Sequence, residues 1–158
     1  VFIDGEYWGG YVLRADYDKE YIEDAYGVTE DVVFVTNGTA SNWNYQNLYN
    51  DFYAFVTSND MSVEENYAQV KMQMDVQSYL DYFCANMLLA NADYGYEEAA
   101  LWRSVESTGG EYTDGKWRWL IGKMDNTINN ASTGGTTTAS IDTMLQQVLL
   151  MIGFCRHY

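Results

Sequence analysis

DVQSYLDYFCANMLLA (residues 75–90), NADYGYEE (91–98), AALWRSV (99–105) and, past an intervening loop, KWRWLI (116–121) and KMDN (123–126) decide the fold. Val76, Tyr79, Leu80, Phe83, Met87 and Leu88 recur at helical spacing, so one face of a helix over 75–90 is committed to a core. Asp75 suits its N-cap, because a carboxylate there accepts from the unpaired amides of the first turn. Residues 91–98 read as a polar turn, and 99–105 and 116–121 as two strands. The second strand alternates, with Trp117 and Trp119 on one face and Lys116 and Arg118 on the other. This order of helix, turn, hairpin and second acidic turn predicts that Asp93 and Asp125 lie near each other.

Outward from this stretch, the chain reads as one α+β domain over 1–158. Two β-prone runs flank Asp4-Gly5-Glu6-Tyr7-Trp8-Gly9-Gly10, a hairpin signal in which Asp-Gly supplies the turn. Asp18 caps a short helix carrying Tyr21, Ile22, Ala25 and Tyr26, with Gly27 as its stop. Val32 to Val35 is an apolar run, read as a buried strand, and Asn37-Gly38 breaks it. Asn37-Gly38-Thr39 and Asn130-Ala131-Ser132 both match the glycosylation sequon. Tyr45, Leu48, Tyr49, Phe52 and Val56 form an aromatic-rich helical stripe that belongs in a core rather than on a ligand platform. A short helix over 63–72 leads into Asp75. After Asp125 comes a loop rich in Asn, Thr, Gly and Ser, then a last amphipathic helix on Ile141, Met144, Leu145, Val148, Leu149 and Ile152.

Composition narrows the function. Eight basic against 23 acidic residues give a formal charge of −15, so phosphate backbones would be repelled and tight nucleic-acid binding is excluded. A hydrophobic share of 47% is that of a globular domain, not a disordered tail. No stretch is long and apolar enough to span a bilayer. Cys84 and Cys155 are too few for a disulfide framework, and Cys84, beside Phe83, reads as a buried thiol. No Cys/His cluster has zinc spacing, and the single histidine, His157, leaves no Ser/His/Asp triad. The chain opens without Met, in a strand, and reads as a piece of a longer protein.

Several stretches together resemble the CotH (spore coat protein H) kinase family. They are Val1-Phe2-Ile3-Asp4-Gly5-Glu6-Tyr7-Trp8-Gly9-Gly10-Tyr11, Tyr17-Asp18-Lys19-Glu20-Tyr21-Ile22, Ala90-Asn91-Ala92-Asp93-Tyr94 with Leu101-Trp102-Arg103, Gly115-Lys116-Trp117-Arg118-Trp119-Leu120, Met124-Asp125, and Phe154-Cys155-Arg156. The likeness implies a protein-kinase-like fold, mostly C-lobe helices with a catalytic-loop hairpin and an N-terminal hairpin, truncated at its N-terminus. It implies phosphate transfer from ATP, with Mg²⁺, to Ser/Thr hydroxyls of partner proteins, in a spore-coat or extracellular setting. An acid after a helix, a metal-binding side chain five residues on, and a second acid beyond a hairpin is also the order that protein kinases use.

In that frame Asp93 is the catalytic-loop acid, Glu98 and Asp125 hold metal, and Lys123 stands at the nucleotide. Glu97-Glu98 replaces an Asn-Asn of the family, and Lys123 the first acid of an Asp-x-Asp. Glu98 still offers oxygen to a hard cation. Lys123 reverses about two charge units at short range if it faces the metal; it can instead pair with Asp93 or Asp125, or contact phosphate. No Gly-rich phosphate loop of either G-x-x-x-x-G-K-[ST] or G-x-G-x-x-G type is present. The alternative is a catalytically degenerate, pseudokinase-like binding module. Outside the resemblance, Asp93 and Asp125 also read as turn acids, and Glu97-Glu98 as a solvated strand start.

Overall fold

The computed structural model describes residues 2–10, 17–89, 91 and 100–122. Within them the elements run β1 (Phe2–Ile3), β2 (Glu6–Tyr7), α1 (Lys19–Tyr26), β3 (Val32–Thr36), β4 (Thr39–Ala40), a 3₁₀ turn (Trp43–Tyr45), α2 (Gln46–Ser58), α3 (Glu64–Gln73), α4 (Val76–Leu88), β5 (Ala100–Ser104) and β6 (Arg118–Leu120). The expected strand around Tyr11, the loop after Asp125, the final helix, Cys155 and His157 lie outside the described residues.

β1 and β2 form an antiparallel hairpin across Asp4 (φ 50°) and Gly5 (φ 85°), the left-handed pair that Asp-Gly supplies at small steric cost. The other four strands form an antiparallel sheet in the order β4-β3-β5-β6. Asn37-Gly38, expected only to end β3, is the turn of a second hairpin, with both residues left-handed (φ 53° and 73°) and Thr36 opposite Thr39.

The strands alternate between two cores. Val33, Val35, Leu101, Trp117 and Trp119 point to one side, where they meet Tyr49, Phe52, Val56, Val70, Met74, Tyr79 and Tyr82 of the α2–α4 segment. Trp102 and Leu120 point to the other side and meet Ile22 of α1 and Val28. The sheet is therefore covered on both faces. Arg118, read on the strand face opposite the tryptophans, is buried (5% exposed), because α1 and Tyr112 lie over its side of the sheet.

Local capping follows the side-chain chemistry. Asp18 accepts from the Tyr21 amide at 2.8 Å, and Gly27 closes α1 in the left-handed region (φ 69°) that a Cβ would disfavour. Asp75 accepts from the Ser78 amide at 3.1 Å, as an N-cap should. The joint between α3 and α4 is tied to the sheet. Trp117 donates its amide to the Gln73 carbonyl and accepts from the Asp75 amide, both at 2.9 Å, while Trp119 donates to Ser78 Oγ at 2.7 Å.

The inward face of α4 differs from the expected one. Tyr79, Tyr82 and Asn86 are buried, Leu80 and Phe83 are only partly so, and Leu88 is 85% exposed; the side chain of Met87 lies outside the described set. Cys84, expected to be buried, is an exposed free thiol, since it sits on the outward side of this same helix. Apolar residues surround most of α4, so spacing alone does not select one face.

Candidate functional site

All four expected site residues, Asp93, Glu98, Lys123 and Asp125, lie outside the described residues. What the structure does place are the backbone anchors beside them. Past the C-terminal end of α4, Asn91 donates its amide to the Asn86 carbonyl at 3.0 Å and its side-chain Nδ2 to Asn86 Oδ1 at 2.7 Å. Asn86 Nδ2 in turn donates to the Tyr82 carbonyl at 2.7 Å. Both asparagines are buried, where an unpaired amide would be costly, so this paired network fixes the chain two residues before Asp93.

The other two anchors are neighbours in the sheet. Ala100, two residues after Glu98, is paired with Leu120, three residues before Lys123, and on its other side with Thr36. Beyond β6, the Tyr17 hydroxyl donates to the Ile121 carbonyl. The Tyr17 ring also fills the space beside Gly122, where an added Cβ would lie 3.2 Å from it. Burial first, and the neighbouring Tyr21 second, push the Tyr17 hydroxyl above its ordinary pKa, so it is a proton donor at neutral pH.

Beside these anchors lies a cleft of about 960 Å³ between α1, the first turn of α4 and β6, with Tyr17, Tyr21, Tyr26, Tyr112, Asp75 and Arg118 among its lining residues. Its buried charge is Arg118. The guanidinium donates from Nη1 to Asp114 Oδ1 at 2.9 Å and to the Lys116 carbonyl at 3.2 Å, and from Nη2 to the Glu111 carbonyl at 2.6 Å. Its Nε lies 3.3 Å from Asp75 Oδ2, an ion pair without the alignment of a hydrogen bond. The flat group sits between Trp102 and Tyr112, 5.7 and 5.3 Å from their ring centres. A planar fork with five donors suits this junction, and a lysine could not reproduce it.

Burial pushes the Asp114 carboxyl up, but hydrogen bonds from Arg118 and the Lys116 amide, with the charges of both residues, more than reverse this and hold it below the usual carboxylate range. Tyr26, like Tyr17, is raised, chiefly by burial. At neutral pH the junction therefore holds the ionised Asp114 carboxylate bound to Arg118, with the Tyr17 and Tyr26 hydroxyls protonated. That chemistry braces the fold. Among the described residues, no group of three or more His, Cys, Asp or Glu side chains converges to hold a metal ion.

Sequence reasoning missed this junction. The signals that could have found it were Trp102 at an alternating position of β5 and Tyr112 in the hairpin connection, both aromatic where a solvent-facing strand surface would be polar. A family model described as CotH kinase protein matches residues 1–151. No curated protein and no solved structure matches the chain.

Proposed function

The chain belongs to the CotH kinase protein family, and from that membership we propose that it serves an atypical protein kinase, transferring phosphate from ATP to Ser/Thr hydroxyls of partner proteins. The family match is the observation that carries this reading. The anchors support it, because Asn91 and Ala100 hold the chain on either side of the segment with Asp93 and Glu98, and Ile121 holds it just before the segment with Lys123 and Asp125.

In this reading Asp93 orients the attacking hydroxyl and accepts its proton, the task of a catalytic-loop acid. Mg²⁺ would be held by Asp125 and Glu98, whose carboxylate oxygens match a hard cation. Bound there, the ion supplies charge neutralisation on the phosphate oxygens. Lys123 would stand at the nucleotide phosphates. The family's association with spore coats makes coat or cell-surface proteins the partners, and among the described residues no helix is long and apolar enough to cross a membrane.

Lys123, in place of a family acid, favours a second reading, a binding module with weak or no transfer. The test is transfer of radiolabelled phosphate from ATP by the full-length protein, with Asp93→Asn and Lys123→Asp beside it. Asp93→Asn is expected to remove orders of magnitude in rate, and Lys123→Asp to raise a low wild-type rate. Brisk wild-type transfer that falls on Lys123→Asp would mean that the ammonium contacts phosphate productively. No transfer by any of the three favours the binding module.

A further inference from the structure

We propose that Asn37 is a site of spontaneous covalent modification, where the side-chain amide is lost and the backbone rearranges to isoaspartate. Four observations meet at this residue. Asn37 is exposed at the tip of the β3–β4 hairpin, and its carboxamide makes no hydrogen bond among the described residues. The next residue is Gly38, whose Cα carries no Cβ to block approach to its amide nitrogen, and that amide likewise makes no hydrogen bond among the described residues. Asn37 takes φ 53°, the left-handed turn conformation that asparagine tolerates, which sets it at the first central position of a tight two-residue turn. Finally, β4 is a two-residue strand at the sheet edge, so opening the tip breaks few bonds and is a low-energy local event.

The chemistry balances without a catalyst. The Gly38 backbone nitrogen attacks Asn37 Cγ, the new N–Cγ bond closes a five-membered succinimide, and the Cγ–Nδ2 bond breaks. The Gly38 amide proton leaves with Nδ2 as ammonia. Water then opens the ring at either carbonyl. One opening gives aspartate, and the other gives isoaspartate, with the main chain passing through the former side chain. No oxidant or reductant is needed.

A second pair on the chain shows why the geometry matters. Asp114-Gly115 has the same arrangement of side-chain carbonyl and glycine nitrogen, which would allow the corresponding ring closure. There, however, the Gly115 amide donates to buried Ser104 Oγ at 3.1 Å, and the Asp114 carboxylate is bound by Arg118. Neither partner is free, so that pair stays intact while Asn37 converts.

Conversion has a structural consequence. Gln46 is buried and spans the hairpin, donating from Nε2 to the Gly38 carbonyl at 2.9 Å and accepting from the Ala40 amide at 2.7 Å. An extra backbone methylene at Asn37 shifts the register of Thr36 against Thr39 and separates these contacts.

The experiment ages the purified protein at mildly alkaline pH, then digests it and follows every asparagine peptide by mass, with enzymatic methyl labelling of isoaspartate. A parallel sample is aged in urea. The expected result is amide loss at Asn37 at least an order of magnitude faster than at Asn44, Asn59 or Asn66, with isoaspartate among the products. Urea should accelerate it only modestly, and Asn37→Gln, which cannot close the five-membered ring, should remove the signal. Conversion only in urea, or a rate at Asn37 no higher than at the other asparagines, would overturn the proposal.

Discussion

Replacing Arg118 with Met removes the one buried cation at the β6–α4 junction while keeping an apolar stem against Trp102 and Tyr112. Stripping one partner from a buried ion pair typically costs about 3–5 kcal/mol. Here the penalty should be smaller, because the side chains left behind are 30% (Asp75) and 25% (Asp114) exposed and can regain water. Each also keeps a partner: Asp75 still accepts from the Ser78 amide, and Asp114 from the Lys116 amide at 3.0 Å. Against that, the Glu111 and Lys116 carbonyls lose their donors. The expected loss is about 2–3 kcal/mol, or roughly 5–10 °C in melting temperature for a domain of this size. Urea unfolding of wild type, Arg118→Met, Asp114→Asn and Arg118→Met/Asp114→Asn reads it, the complete cycle isolating the coupling. A loss under about 0.5 kcal/mol, the range of ordinary surface substitutions, would refute the assignment of Arg118 as a buried brace. Acid unfolding adds an independent check. The folded Asp114 carboxyl titrates below its unfolded value of about 3.9, so its contribution is fully present above that pH and is lost as pH falls through the lower, folded value. Arg118→Met returns the folded value toward the unfolded one, so the acid limb of its stability curve should be shallower than that of wild type.

Phe52→Ala should cost about 3–5 kcal/mol in urea unfolding, because Phe52 is 1% exposed under Trp117, whereas Leu88→Ser should fall within about 0.5 kcal/mol of wild type. The reverse ranking would show that the α2 and α4 faces are assigned backwards. Asn86→Ala should cost about 1–3 kcal/mol by removing the buried Asn91 Nδ2–Asn86 Oδ1 and Asn86 Nδ2–Tyr82 carbonyl hydrogen bonds, and should speed hydrogen exchange of the Asn91 amide. Unchanged exchange there would mean that the asparagine pair does not hold the end of α4.

What could be read from the sequence was what one residue type decides locally. Asp4-Gly5, Asp18, Gly27 and Asp75 each act through a cap or turn whose chemistry spans five residues or fewer, and each does so in the structure. The hairpin strands of 99–105 and 116–121 also form, within a residue or two at their ends. What depends on a second layer was not legible. Alternation along β6 separates Trp117 and Trp119 from Arg118 correctly, but it carries no record of α1, which covers the far face and buries the arginine. On α4 the apolar residues encircle most of the helix, so the buried set of Tyr79, Tyr82 and Asn86 was settled by tertiary packing rather than by period. Asn37-Gly38 was read as a breaker because β4, two residues long, is too short to show alternation.

In the proposed reading, the anchors make the site sensitive to residues that touch neither nucleotide nor hydroxyl. A reaction centre drawn from two chain segments requires both segments to leave the scaffold at fixed places, and a misplacement of about 1 Å can cost two orders of magnitude in rate. Each segment here leaves from a paired group rather than a free end. Asn91 is closed onto Asn86, Ala100 is held between Thr36 and Leu120, and the Ile121 carbonyl is held by Tyr17. These ties join α4, the sheet and the segment before α1, and the Arg118 junction then binds β6 back to the start of α4 through Asp75. The start of α4 is thus braced to β6 by an ion pair, while its end is closed by buried amides. A closed loop of contacts of this kind resists rotation of the helix against the strand in a way that apolar packing, which tolerates small slides, does not. That is the physical reason for placing at Arg118 a charged side chain whose Nη groups reach Asp114, Lys116 and Glu111 while its Nε faces Asp75.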